Sequence, residues 1–388
     1  MKDFLFDFLT RGYSVICILL SPFIKIKKNR ILFWSWGSKR YDCNPRYISD
    51  YILENYPDDF ELYWCFKKGC EPKNIDKRIK VLRWGTFHYL IRALSCKFLI
   101  SNTRNDIGMM LFRKRKHQKY IMTWHAGMSL KKVEKDAVQS LSKGYMKRCL
   151  YDSSIADLFI SGSRFQSKLY RESYWYNGEI LECGCPRNDI MFCDTDSFKK
   201  TFCEENNLDI DSILILYAPT FRMPFKIDDY SLNWDTVKDL IKGKFGKQPV
   251  LLIRLHPNIA KYSNDLSFDY NRKDIVDVTM YGDMQRLLSI ADVLITDYSS
   301  SMFDFSLSNK PCFLLVRDEN KYDRGTYLGL SELPFSLANT EIELREIISN
   351  FNNEEYLDKL LCFNNKIGSF ERGEASAKII DWIISQNK

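Results

Sequence analysis

From residue 31 onward, short apolar runs alternate with longer amphipathic stretches, the rhythm of strands and helices that build parallel sheets. The runs ILFWSW (31–36), ELYWCF (61–66), KFLIS (97–101), YIMTW (120–124) and DLFIS (157–161) predict one set of strands. A second set is predicted at ILILYAPT (213–220), VLLIRLHP (250–257), DVLIT (292–296) and PCFLLV (311–316). The polar stretch CDTDSFKKTFCEENNLDID, within residues 190–212, separates the sets and reads as a domain joint. A tail from about residue 340 carries three helical segments. The last, ASAKIIDWIIS, is amphipathic and suits packing on either domain. No internal repeat of fixed period is visible. The expected organisation is an N-terminal segment (1–30) followed by two α/β domains, 31–195 and 196–388, with a cleft at the carboxyl ends of their strands.

The N-terminal segment has its own pattern. Tyr13 to Ile24 reads YSVICILLSPFI, followed at once by the basic KIKKNR. Twelve residues are too few to span a bilayer, which takes about 20. Asp3 and Asp7 spoil the positive region of a signal peptide, and no small-residue cleavage site follows. An apolar segment beside a cationic one fits a helix lying in the interface of an anionic leaflet. A first helix packed on the body of the protein is the alternative.

Length and composition narrow the class. The 388 residues exceed one ordinary domain, and 45% hydrophobic with 28% charged residues is globular usage that excludes a multispan membrane protein or a disordered chain. The net charge of +7 is modest. Much of the positive charge sits in two runs: Lys25, Lys27, Lys28 and Arg30, then Arg113, Lys114, Arg115, Lys116 and Lys119. Such runs suit an anionic membrane surface or polymer, or are simply solvated. Neither is interleaved with base-stacking aromatics, so nucleic acid is not expected as a partner. Twelve cysteines at irregular spacings read as reduced, mostly buried thiols. Cys183 and Cys185 have no second pair to complete a zinc site.

Candidate chemistry lies where apolar runs end. His125 ends YIMTW just before Ala126 and Gly127 and an expected SLKKVEKD helix; a neutral imidazole there suits a general base, or a loop carbonyl. Arg254 and His256, two apart at the end of VLLI, share a face on a strand and suit a phosphate or diphosphate, or a structural ion pair. Ser299, Ser300 and Ser301 open a helix whose N-terminus suits an anion, although Ser301 and Asp304 also match a capping box that needs no ligand. Thr220 and Arg222 after LILYAP, and Arg187 in CPRND, are further candidate contacts. No Gly-rich phosphate loop of either common pattern occurs. DxD appears only as Asp194–Asp196 and Asp209–Asp211, neither after a strand, so a metal-free site without a cofactor is expected.

Together these segments resemble the CDP-glycerol glycerophosphotransferase family, whose enzymes prime or polymerise the glycerol phosphate chains of teichoic acids and related capsules. The resemblance spans roughly residues 120–376 through TWHAGMSLKK, CGCPRND, LYAPTFR, RLHP, ADVLITDYSSSMFDFSLSNKP, DRGTY (323–327) and GEAS. It implies a GT-B fold: two Rossmann-like domains facing a cleft, the second holding the nucleotide, with an amphipathic N-terminal attachment at the cytoplasmic face of the membrane. Carried over, His125 becomes the base and His256 a partner of the diphosphate. Arg187, Thr220, Arg254, Ser299, Ser300 and Asp304 become donor contacts. Where the family commonly reads WHGTPLKK, this chain reads WHAGMSLKK, with one more residue between His125 and Lys131.

The reaction so implied moves glycerol phosphate from CDP-glycerol to a hydroxyl of a lipid-linked or polymeric acceptor and releases CMP. A ribitol phosphate transferase, a GT-B nucleotide-sugar glycosyltransferase and a non-catalytic membrane-attached polyanion binder stay open as alternatives.

Overall fold

The computed structural model describes residues 12, 14–104, 114–222, 225–260, 266, 268–318 and 325–387. Two compact units divide the chain: Met1–Gly127, Val133–Asp189 and Ser369–Lys388 form one, Met128–Lys132 and Ile190–Gly368 the other.

The first unit is built on seven strands: β1 (Lys27–Trp34), β2 (Glu61–Phe66), β3 (Lys80–Arg83), β4 (Cys96–Ser101), β5 (Lys119–Met122), β6 (Leu158–Ser161) and β7 (Glu179–Glu182). All pair in parallel, in the order β3-β2-β1-β4-β5-β6-β7. Parallel strands are covered on both faces, which is why the central ones are unbroken apolar runs rather than alternating ones. Side-chain caps start the covering helices: Thr86 accepts from the Tyr89 N–H and Ser163 from the Gln166 N–H. Ile31, Phe33, Trp64, Ile100, Ile121 and Ile160 form one buried cluster with Ile379, Ile380 and Ile383.

Those last three isoleucines lie on the C-terminal helix Ala375–Ser385, so the ambiguous tail helix packs on the first unit. The expected domain limits shift accordingly. The division falls after Asp189 rather than Thr195, and Ser369–Lys388 leaves the second unit for the first. The physical reason is the apolar stripe of that helix, which completes the first core.

The second unit holds β8 (Ile213–Ala218), β9 (Pro249–Ile253), β10 (Ile275–Asp277), β11 (Val293–Thr296), β12 (Cys312–Leu315) and β13 (Ser336–Ala338), again all parallel. Their order is β10-β9-β8-β11-β12-β13. Both sheets are therefore doubly wound, and in each the strand order reverses beside the first strand: between β1 and β4, and between β8 and β11. Ligands of open α/β sheets bind outside the carboxyl ends at such points.

Several expectations are corrected. β3, β7, β10 and β13 are short edge or near-edge strands of three or four residues, without apolar runs long enough to mark them. β1 starts at Lys27 and ends at Trp34, so part of the first basic run is structural. Arg30 is buried and donates to Glu61 and Ser95. The expected SLKKVEKD helix does not form. Residues 129–132 lie outside any helix, Lys131 bridging Thr326, with Lys132 N–H donating to Gly325 and Tyr327 N–H to Leu130. A 3₁₀ turn, Glu134–Ser140, follows.

Of the N-terminal segment, residues 1–11 and 13 lie outside the described residues, as do Arg113 of the second basic run and the first two residues of DRGTY. Residues 14–20 are helical and lead into a 3₁₀ turn, Ser21–Phe23. Among the described residues no helix is long and apolar enough to cross a membrane.

Candidate active site

In the first unit the site grows from the carboxyl ends of β1, β4 and β5. His125 follows β5 after Thr123 and Trp124. Its Nδ1 lies 3.0 Å from the carbonyl oxygen of Asn102, just beyond β4. A carbonyl only accepts, so Nδ1 carries the proton and Nε2 keeps its lone pair. Burial pushes the imidazole down to about 4, with the nearby Arg187 charge acting in the same direction. His125 is thus neutral at physiological pH, with Nε2 able to take a proton.

Two tryptophans flank that ring. Trp124 lies 4.4 Å away and Trp36 5.0 Å away between centroids. Both have left-handed backbones, φ 51° and 49°, a conformation that is uncommon for bulky residues and often stored at functional sites. Side-chain amides hold them there. Asn102 Oδ1 accepts the Trp36 N–H at 3.0 Å, and Asn44 Nδ2 donates to the carbonyls of Thr123 and Trp124, both at 3.0 Å. Asn44 Oδ1 in turn accepts the Arg187 N–H at 3.1 Å, which places the buried Arg187 in the same neighbourhood.

Beneath Trp124 lies a charged network. Arg104 is buried, donates to both Glu134 oxygens at 2.8 and 3.0 Å and to Asp152 at 3.0 Å, and sits against the rings of Trp124 and Tyr174. Burial lifts Asp152 to about 7 although Arg104 pulls the other way.

In the second unit the carboxyl ends of β8 and β11 meet at the switch point. Thr220 N–H donates to both carboxylate oxygens of buried Asp297 at 3.0 Å. Arg222 grips Asp318 through Nε (2.9 Å) and Nη2 (3.1 Å), and reaches Asp297 through Nη1 at 2.5 Å. With three nitrogens on two carboxylates, Arg222 braces the Thr220 turn. Arg254 lies just past its strand rather than on it. β9 ends at Ile253, and Arg254 Nη1 donates to the carbonyls of Val278 and Tyr281 at 3.0 and 2.7 Å, which ties β9 to the segment after β10.

His256 is exposed beyond β9, with the Phe221 ring stacked 5.8 Å away. Its Nδ1 accepts the Asn258 N–H at 3.2 Å, so the neutral ring carries its proton on Nε2. This is the reverse of His125.

Ser301 begins a six-residue helix, Ser301–Ser306, and its hydroxyl donates to Ser299 Oγ at 2.7 Å. The cap position falls on Ser300, so Ser301 is the first helical residue rather than the cap. Ser300 stands at the helix entry and Asp304 is buried within the helix. Asp194 and Asp209 each accept the N–H two residues onward, so both DxD patterns close local turns.

Trp36, Asn102, Asn44 and Asp297 were missed in the sequence. Each stands near a strand or helix end, and only the strand order brings it to the site.

Two doubly wound parallel sheets, each with polar residues gathered at the carboxyl ends of its strands, define a two-unit α/β protein of nucleotide-binding type. The chain belongs to the CDP-glycerol:poly(glycerophosphate) glycerophosphotransferase family, whose pattern matches residues 16–385. It is 30% identical over 377 residues to a teichoic acid poly(glycerol phosphate) polymerase of Staphylococcus epidermidis, covering 92% of this chain but 51% of that protein. A Bacillus spizizenii protein of the same description is 26% identical over 389 residues, covering 97% of both. The solved wall teichoic acid polymerase TagF superposes with a TM-score of 0.80 at 28% identity, over 93% of this chain and 89% of that one. The chain spans about half the length of some relatives and nearly all of others.

Proposed function

We propose that this chain transfers glycerol phosphate from CDP-glycerol to a hydroxyl of a lipid-linked or polymeric acceptor, releasing CMP, in teichoic acid or capsule synthesis. It does so as a GT-B-type enzyme whose first domain serves the acceptor and whose second binds CDP-glycerol. The observation that carries this reading is the wiring of His125. The Nδ1–H donates to Asn102 and Nε2 is left to accept.

In this mechanism Nε2 of His125 takes the proton of the acceptor hydroxyl as its oxygen attacks the phosphorus that bears glycerol. The bond from that phosphorus to the CMP oxygen breaks, and CMP leaves as an anion that needs little protonation. What remains for the protein is alignment and charge stabilisation. The Nε2–H of His256 is the natural donor to the diphosphate. Ser299, Ser300 and Thr220 belong with it, and Asp304 with the donor's hydroxyls. Arg222 and Arg254 support the donor site through the backbone they hold, and Arg187 contributes positive potential near the base. No step calls for a metal or cofactor.

Attachment to the cytoplasmic face of the membrane is part of the proposal. Leu19 and Phe23 are 65% and 86% exposed, with Val15, Ile16 and Ile18 also outward, beside Lys25 and Lys27. Such a surface suits an anionic leaflet.

The test is incubation of the purified protein with CDP-glycerol and a lipid-linked acceptor, following CMP release and phosphorus in the product. Transfer of phosphorus supports the proposal. Preference for CDP-ribitol, transfer of a sugar alone from a nucleotide sugar, or polymer binding without CMP release would replace it with one of the alternatives.

A further inference from the structure

The loop that carries His125 is braced by a carboxylate from the other end of the sequence. Glu371 is buried at the carboxyl ends of β5, β6 and β7. Its Oε2 accepts the Cys185 N–H and its Oε1 accepts Asn188 Nδ2, both at 3.0 Å. Three glycines from three different loops close around it. A Cβ on Gly127 or Gly162 would lie 2.8 or 2.7 Å from Oε1, and a Cβ on Gly184 would lie 2.9 Å from Oε2. Real Cβ atoms essentially never come so close, so the fit depends on all three lacking a side chain.

The surrounding backbone is equally tight. The Cα of Gly127 would lie 2.7 Å from a Cβ on Gly162, and Ser163 Oγ donates to the Gly127 carbonyl at 3.2 Å. The segment that delivers Glu371 is pinned in turn. Phe370 N–H donates to the Gly162 carbonyl at 2.8 Å, and Ser369 bridges Ser163. Asp189 accepts the N–H groups of Ala375 and Ser376 at 3.0 and 2.8 Å, which caps the C-terminal helix. CPRND and the GEAS segment are therefore partners of each other.

We infer that Glu371 is a positioning residue for catalysis: its carboxylate, seated among Gly127, Gly162 and Gly184, fixes the 125–127 loop and so the aim of the His125 imidazole. This rests on the reading of His125 as the base. Gly127 is two residues from His125, and a displacement of about 1 Å at a reacting group can cost roughly 10²-fold in rate. Glu371 touches neither substrate nor the transferring phosphorus in this role.

The test compares CMP release by the full chain and its Glu371→Gln, Gly127→Ala and His125→Ala variants across pH, with thermal unfolding alongside. Gln keeps the size of Glu but sets an amide N–H₂ against a donor. Ala at 127 keeps the carboxylate but intrudes on it. Both are expected to lower kcat by roughly 10 to 10²-fold with KM for CDP-glycerol within about twofold. Both are also expected to raise the acid limb of the kcat profile, because a loosened loop lets water reach the ring. The charged group facing the ring is Arg187, and its other neighbours, Trp36, Trp124 and Asn102, do not titrate in this range.

Should Glu371→Gln fail to fold, Gly127→Ala alone decides. A lower Tm with unchanged kcat and acid limb overturns the inference and leaves the base reading standing. If His125→Ala retains full turnover, the base reading fails and takes this inference with it.

Discussion

Asn102 accepts the Nδ1 proton of His125 at 3.0 Å, and through its side chain it also holds the backbone of Trp36. One residue at the end of β4 thereby fixes both the tautomer of the imidazole and the ring beside it. The half-buried ring is lowered from 6.5 to about 4 chiefly by desolvation.

That shift sets a pH dependence. Down to about pH 4 the folded protein keeps Nε2 unprotonated, so kcat is expected to fall on the acid side near 4 rather than near 6.5. The stability sign follows from linkage. Between 6.5 and 4 the unfolded chain binds a proton at this position and the folded chain does not, so stability present above 6.5 is lost as pH falls through that window. A pH series of kcat and of denaturant midpoints checks both, and a His125→Asn variant should lack the corresponding contribution to each.

His256 is wired the other way, with Nδ1 accepting and the proton of the neutral ring on Nε2. His256→Ala should reduce CMP release by about 10² to 10³, the usual cost of one donor to developing charge. His256→Gln, which can still present an N–H, should recover part of it. Equal loss in both variants would argue for a role other than donation, and steady-state kinetics separates the outcomes.

Arg222 should behave as a structural support. Arg222→Lys keeps the charge but loses the fork to Asp318, so it is expected to cost about 1.5–3 kcal/mol of stability, the worth of hydrogen bonds to a charged group. CDP-glycerol binding should weaken in step as the Thr220 turn loosens. Urea unfolding with calorimetric titration checks both. A loss of affinity without loss of stability would restore Arg222 as a direct contact.

Arg104 lies buried between Glu134 and Asp152. Arg104→Met leaves two buried acids without their cation and should destabilise the first unit by about 3–5 kcal/mol. Replacing all three with apolar residues of similar volume should restore much of that. Chemical denaturation of the single and triple variants distinguishes the pairing from the packing.

The long central strands were legible because a strand covered on both faces needs an uninterrupted apolar run, as in ELYWCF, which matches β2 residue for residue. The short strands β3, β7, β10 and β13 were not, since three or four residues at or near an edge need no such run. His125 was legible as a candidate base because it follows a strand and precedes glycine. Its tautomer was not, because the acceptor stands just beyond β4 rather than on β5. The partners of Arg222 and Arg254 were not legible, because the sequence shows a cation after a strand but hides the carboxylates and carbonyls that meet it.

The sequence alone determined the alternation of strands and helices and the residue types at the strand ends, since these follow from local periodicity and chain order. Only the tertiary structure decided where the last helix packs, which nitrogen of each histidine carries the proton, and why three distant glycines stand where they do. Those depend on groups far apart in the chain meeting within hydrogen-bond distance. Glu371 reaching Cys185 and Asn188 is such a meeting, set by strand order rather than by any local pattern.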